Sequence, residues 1–222
     1  MTHAVYLHGF ASSPRSAKGI ALGARLAATL GADGRYVIPD LEAGDFRGLT
    51  MDLLASRAEA ALRALPADGA PVLLIGSSLG GYTAAWLAAK GRAHRVSGLL
   101  LIAPAFGFTD SWASRLGDEG IAAWRRDGQR PFFHHAVERE LPLGAAFYES
   151  CLALPALPGQ APMPAAIVQG RQDQSVDHRQ SVAYASARER VELHLVDGDH
   201  RLTEARHEDL IAWCARDLIA RM

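Results

Sequence analysis

The stretch Pro71-Val72-Leu73-Leu74-Ile75-Gly76-Ser77-Ser78-Leu79-Gly80-Gly81-Tyr82 decides the fold. Val72 to Ile75 are apolar without polar alternation, as in a strand covered on both faces. From Gly80 to Lys90 the pattern turns helical, and Gly91 stands in a helix-stop position. Between them lies Gly76-x-Ser78-x-Gly80. In a strand–turn–helix context this pattern lifts a serine onto a sharp turn as a nucleophile. The turn is tight enough to strain its own backbone, so the residues two before and two after the serine must be small. Ser78 has glycine at both places, whereas Ser77 would need it at Ile75 and Leu79.

Working outward, five further segments read as strands: His3–His8, Tyr36–Pro39, Val96–Ile102, Ala165–Gln169 and Val191–Val196. Helical patterns fill most of the gaps between them. One opens at Ser13-Pro14, one spans Thr50–Leu65, one is capped by Asp177 with Gln180 in a capping-box arrangement, and one spans Thr203–Met222. This alternation predicts an α/β fold with a mostly parallel sheet of about six strands flanked by helices. Residues 104–163 break the rhythm. They hold no good strand and are rich in aromatics, among them Phe106, Trp112, Trp124, Phe132 and Phe147. A structureless loop of that size is suspect, so the reading is a helical lid inserted into a core of residues 1–103 and 164–222. Its aromatics either line a pocket or form the lid's own small core.

A serine hydroxyl needs a base. Where the nucleophile sits on such a turn, the acid and then the histidine follow it along the chain. Asp173 follows the strand ending at Gln169, and His200 follows the strand ending at Val196. Both loops lie at the sheet edge that carries Ser78, where such sheets bind ligands. His200 is therefore the expected general base and Asp173 its orienting acid. Asp177 is the rival acid, although its place before His178-Arg179-Gln180 favours helix capping. Asp199 reads as a turn residue or a supporting group. The oxyanion needs two backbone donors: the amide of Leu79 and, after the first strand, that of Phe10 in His8-Gly9-Phe10. Gly9 permits close backbone approach, and His8 reads as a supporting hydrogen-bonding residue. His134-His135 reads as a solvated pair, since no third ligand has metal-site spacing.

The bulk properties exclude other classes. The 222 residues carry 23 Lys+Arg and 24 Asp+Glu, a net charge of -1, too neutral for a chain whose main affinity is for nucleic acid. With 49% hydrophobic residues it is not a disordered chain, and no apolar run approaches membrane-spanning length. Cys151 and Cys214 form neither a disulfide framework nor a metal spacing, and no leader pattern opens the chain, so a cytoplasmic location is expected. The near-zero charge disfavours polyanionic substrates. Arg15 and Lys18, near the oxyanion loop, read as solvated surface or as attractors of an acidic group.

Tyr6–Phe10, Ser12–Lys18, Gly76–Tyr82 and Asp177–Tyr184 together resemble the YqiA-type bacterial esterases of the α/β-hydrolase superfamily. The insertion and Asp199-His200-Arg201-Leu202 are similar to the group containing acyl-protein thioesterases and acyl-glucuronide esterases. The resemblance implies a reduced α/β-hydrolase fold lacking the two strands that usually open it. It implies a serine esterase that takes a small ester or thioester, with an acylated protein among the candidates, and uses no metal or organic cofactor. A non-enzymatic binding module on the same fold is the competing reading.

Overall fold

The computed structural model describes residues 1–222. Its main sheet is built from β1 (His3–Leu7), β2 (Tyr36–Val37), β3 (Val72–Ser77), β4 (Val96–Ile102), β7 (Ala165–Gly170) and β8 (Val191–Val196). They lie in the order β2-β1-β3-β4-β7-β8, and every pairing is parallel. The apolar runs explain the arrangement. β1, β3, β4 and β7 are buried almost throughout, and both of their faces are covered by helices.

On one face lie α1 (Ala17–Leu30) and α7 (Ala205–Ala220). Leu22, Leu26, Ile211 and Leu218 pack there against Tyr6, Ile75 and Leu100. On the other lie α2 (Met51–Arg63), α3 (Leu79–Ala89) and α6 (His178–Ser186), in a larger apolar cluster that includes Leu74, Leu99 and Ile167. α3 is buried around nearly its whole circumference, which its Gly80, Gly81, Ala84 and Ala85 allow. The helix expected to open at Ser13-Pro14 starts instead at Ala17. Ser16 caps it by accepting the Gly19 N–H, while Ser13 and Pro14 form the preceding turn. Asp177 caps α6 as expected, but its carboxylate accepts the Arg179 N–H and the Gln180 half of the expected capping box is not formed, while Thr50, read as the first helical residue, instead caps α2 by accepting the Leu53 N–H.

The segment between β4 and β7 corrects the sequence reading. It contains α4 (Phe108–Asp127, kinked at Gly117), an antiparallel hairpin of β5 (Gln129–His134) and β6 (Arg139–Gly144), and α5 (Ala145–Leu152). Two strands thus stand where none was expected. Along β5 the side chains alternate between exposed and covered, with Phe132 stacked on Trp112. The insertion has no separate core. Trp124, Phe147, Tyr148 and Cys151 belong to the same apolar cluster as the sheet face.

Successive crossovers place β2 on one side of β1 and β3 on the other. The crevice outside the C-terminal ends of β1 and β3 is therefore the topological switch point, the usual ligand position in such sheets.

Candidate active site

Ser78 stands at the end of β3 with φ 54° and ψ −118°, outside the regions favoured by non-glycine residues. Such a conformation costs on the order of 1–3 kcal/mol and persists only where its surroundings over-determine it. Here the Ser78 N–H donates to the Ile102 carbonyl, and its own carbonyl accepts from Tyr82 and Ala105. The flanking glycines are sterically required. A Cβ on Gly76 would lie 2.3 Å from the Gly80 carbonyl oxygen, and one on Gly80 would lie 2.2 Å from that of Leu7. Gly80 is thus fixed by the neighbouring strand β1 as well as by the turn.

The structure brings Ser78, His200 and Asp173 together. Ser78 Oγ lies 3.1 Å from His200 Nε2, and His200 Nδ1 lies 2.7 Å from Asp173 Oδ2. An ionised carboxylate can only accept, so Nδ1 carries the proton and Nε2 is free to receive one. The Asp173 side chain is fully buried and that of His200 is about a quarter exposed (26%). Burial pushes the Asp173 carboxyl up. The hydrogen bond from His200 and the Val176 and Ser175 amides outweigh it, and the group sits below the ordinary aspartate value. Asp177 takes no part. It caps α6 and pairs with Arg179. Asp199 is a turn residue, its carboxylate accepting the Arg201 and Leu202 amides.

Phe10 and Leu79 line the same cavity as Ser78, and neither N–H donates to any group of the protein. His8 accounts for the direction of the first. Its Nδ1–H donates to the Gly9 carbonyl, and its Nε2 accepts the Leu41 N–H. Turning the Gly9 oxygen toward His8 points the Phe10 N–H of the same trans peptide the opposite way. Both ring nitrogens are then used by the neutral form, and burial lowers the His8 pKa in agreement. Gly9 packs so closely that a Cβ there would stand 3.3 Å from Ser78 Cβ.

Two supporting groups escaped the sequence reading. Gln169, fully buried, donates from Nε2 to Asp173 Oδ2, and its Oε1 accepts the Ser181 hydroxyl. His207 of α7 holds the Asp197 carbonyl beneath the His200 loop. A polar residue at the end of an apolar strand was the only signal for Gln169. His134 is a correction. It is buried, with Nε2 2.6 Å from Glu42 Oε2, because β5 carries it inward while His135 reaches the cavity.

The cavity has a volume of about 780 Å³. Phe10, Phe108, Trp112 and Phe132 pack together along its lining, and Phe133 adds a further aromatic ring. The insertion's aromatics therefore divide between two jobs, since Trp124, Phe147 and Tyr148 are core. No cluster of three or more His, Cys, Asp or Glu side chains could hold a metal ion, and no helix is long and apolar enough to cross a membrane.

A family model described as an uncharacterised protein family, UPF0227, matches residues 3–212. Among solved structures, a protein of Agrobacterium vitis S4 assigned as a hydrolase superposes with a TM-score of 0.83 at 26% identity, covering 98% of this chain and 88% of that one. The mouse alpha/beta hydrolase domain-containing protein 10 gives 0.81 at 20% identity, covering 99% and 90%. Est1E from Butyrivibrio proteoclasticus, solved with ferulic acid bound, gives 0.79 at 17% identity, covering 100% and 89%. No curated protein matches in sequence.

Proposed function

The chain belongs to the UPF0227 family and has the α/β-hydrolase fold, and from that premise we propose that it is a serine hydrolase of carboxylic esters or thioesters. The observation that supports this best is the unbroken relay from Ser78 through His200 to Asp173, opening on a cavity bordered by two amides with no acceptor in the protein.

In this reading Ser78 Oγ attacks the acyl carbon as its proton passes to His200 Nε2. The carbonyl oxygen becomes an oxyanion held by the N–H groups of Phe10 and Leu79. The bond to the alcohol or thiol then breaks, and His200 returns the proton to the leaving atom. Water attacks the acyl-enzyme with His200 again as base, the carboxylic acid departs, and Ser78 regains its proton. Asp173 keeps the imidazole in the required tautomer and stabilises its charged form. Gly76 and Gly80 allow the turn, Gly9 the approach of the oxyanion loop, and His8 the orientation of the Phe10 amide. The α4–hairpin–α5 insertion acts as the lid over an apolar group.

The test is fluorophosphonate labelling together with a panel of 4-nitrophenyl esters and acyl thioesters of increasing chain length. Wild type labels and turns over, and Ser78→Ala does neither. Full activity in Ser78→Ala refutes the mechanism. A folded wild type that neither labels nor hydrolyses any substrate is a binding module instead.

A further inference from the structure

Charge nearly balances over the chain but not over the cavity. Arg15, Lys18, Arg115 and Arg201 line it, and no aspartate or glutamate does. None of the four cations forms an ion pair with a carboxylate. Arg115 is held by the carbonyls of Gln174 and Ser175. The other three have no side-chain partner.

Lys18 is the informative member. It is half-buried in the first turn of α1, beside the Ser16 cap. The acids whose charge bears on it are Asp199, Asp173 and Glu208, and each is already used. Asp173 is bound to His200, Asp199 to the amides of its own turn, and Glu208 to Arg25. A partly desolvated ammonium facing a cavity without a counter-charge is costly unless a ligand supplies one. The aromatic part of the lining offers an anion nothing, and Arg115, on the same helix as Trp112, is already engaged by two carbonyls.

The geometry also assigns a side. Of the acids acting on Lys18, Asp199 belongs to the His200 loop and Asp173 is the carboxylate partner of His200, while Glu208 lies on α7. Arg201 is the next residue in the chain after His200. In the acyl-transfer reading, on which this inference rests, His200 protonates the leaving atom, so the leaving group occupies the His200 side. We propose that the natural substrate is an ester or thioester whose alcohol or thiol portion carries one anionic group, a carboxylate or a phosphate, received by Lys18 with Arg15 and Arg201, while the acyl portion lies against Phe10, Trp112 and Phe132.

The experiment compares three hexanoyl-length substrates: the 4-nitrophenyl ester, the 3-carboxy-4-nitrophenyl ester, and a 4-nitrophenyl monoester of a dicarboxylic acid, which places the charge on the acyl side. Rates are referenced to hydroxide hydrolysis of each. The acidic leaving group is expected to raise kcat/KM over the neutral ester by about tenfold, the size of one charge-assisted contact, and salt should erode the advantage. Lys18→Met should abolish this ratio and Lys18→Arg should keep it. Hexyl phosphate and hexanoate, tested as inhibitors of neutral-ester hydrolysis, identify the anion as the one whose advantage over hexanol disappears in Lys18→Met. The proposal is overturned by a ratio near one, by an advantage confined to the acyl-side acid, or by Lys18→Met lowering all three rates alike. Activity on the neutral ester that vanishes in Ser78→Ala keeps the hydrolase reading intact in each of those cases.

Discussion

Gly170→Ala probes whether the relay depends on the contact between its two supporting loops. Gly170 ends β7 just before the Asp173 loop and pairs with Val196, just before the His200 loop. A Cβ at position 170 would lie 2.3 Å from the Gly198 carbonyl oxygen and 2.6 Å from that of Asp199. Ordinary contact begins near 3.4 Å, so the loops must part by about 1 Å. The Gly198 oxygen already accepts the Gln172 N–H at 3.0 Å, and the Gly198 N–H donates to Gln172 Oε1 at 2.6 Å, so neither side can give way freely. Passed on to His200, a shift of that size takes the 2.7 Å bond to Asp173 beyond hydrogen-bond range. Misplacement by about 1 Å costs about 10²-fold in rate, and overpacking of this kind costs about 1–3 kcal/mol of stability. The assay is kcat/KM on a 4-nitrophenyl ester alongside thermal melting, at a temperature where the variant is folded. Gly159→Ala, whose Cβ would meet Ala89 at an ordinary 3.5 Å, is the matched control and should behave as wild type. A folded Gly170→Ala with activity within about threefold of wild type would refute the argument that loop spacing sets the relay.

Asp173→Asn should lose about 10⁴-fold in kcat by leaving His200 in the wrong tautomer, whereas Asp177→Asn should stay within about twofold, because asparagine can still cap α6 and only the exposed pair with Arg179 is lost. Steady-state kinetics on the two variants decide between the carboxylates. Gln169→Leu leaves the buried Ser181 hydroxyl unpaired and removes a donor from Asp173, so it should cost about 1–3 kcal/mol in denaturant melts and about tenfold in kcat. Burial pushes the Lys18 ammonium down to about 8, partly opposed by Asp199, Asp173 and Glu208. The charged form binds the anion, so the preference for acidic leaving groups should be present below that pH and fade as pH rises through it. A preference that strengthens with pH contradicts the role given to Lys18.

What the sequence disclosed and what it withheld divide along a physical line. Ser78, Asp173, His200 and the Phe10 loop each lie just past the end of an apolar strand. In a parallel sheet every such end points to one edge, so strand boundaries alone predict that these residues meet. The glycines at 76 and 80 were legible because a steric demand acts within a few residues. Gln169 carried almost no signal, since its partners Asp173 and Ser181 are read as a loop acid and a helix serine until the fold joins them. The start of α1 was misplaced because both Ser13 and Ser16 have capping chemistry, and only the Gly19 amide discriminates between them.

The hairpin in the insertion was hidden for a different reason. Pro131 and Pro142 stand directly opposite each other in its ladder. A proline normally counts against a strand, because it cannot donate to the ladder and survives only on an edge. In a two-stranded hairpin each strand is an edge on its outer side, so the objection that holds for the central sheet lapses here. The hairpin then carries His134 inward to Glu42, and Glu42 follows Leu41, whose amide fixes His8. The His135 N–H also donates to the Ala11 carbonyl, directly after Phe10. The insertion is therefore fastened to the loop that presents the Phe10 amide from two directions. The covering of the cavity and the direction of the Phe10 amide are coupled, and a change in the hairpin far from Ser78 should register first in kcat.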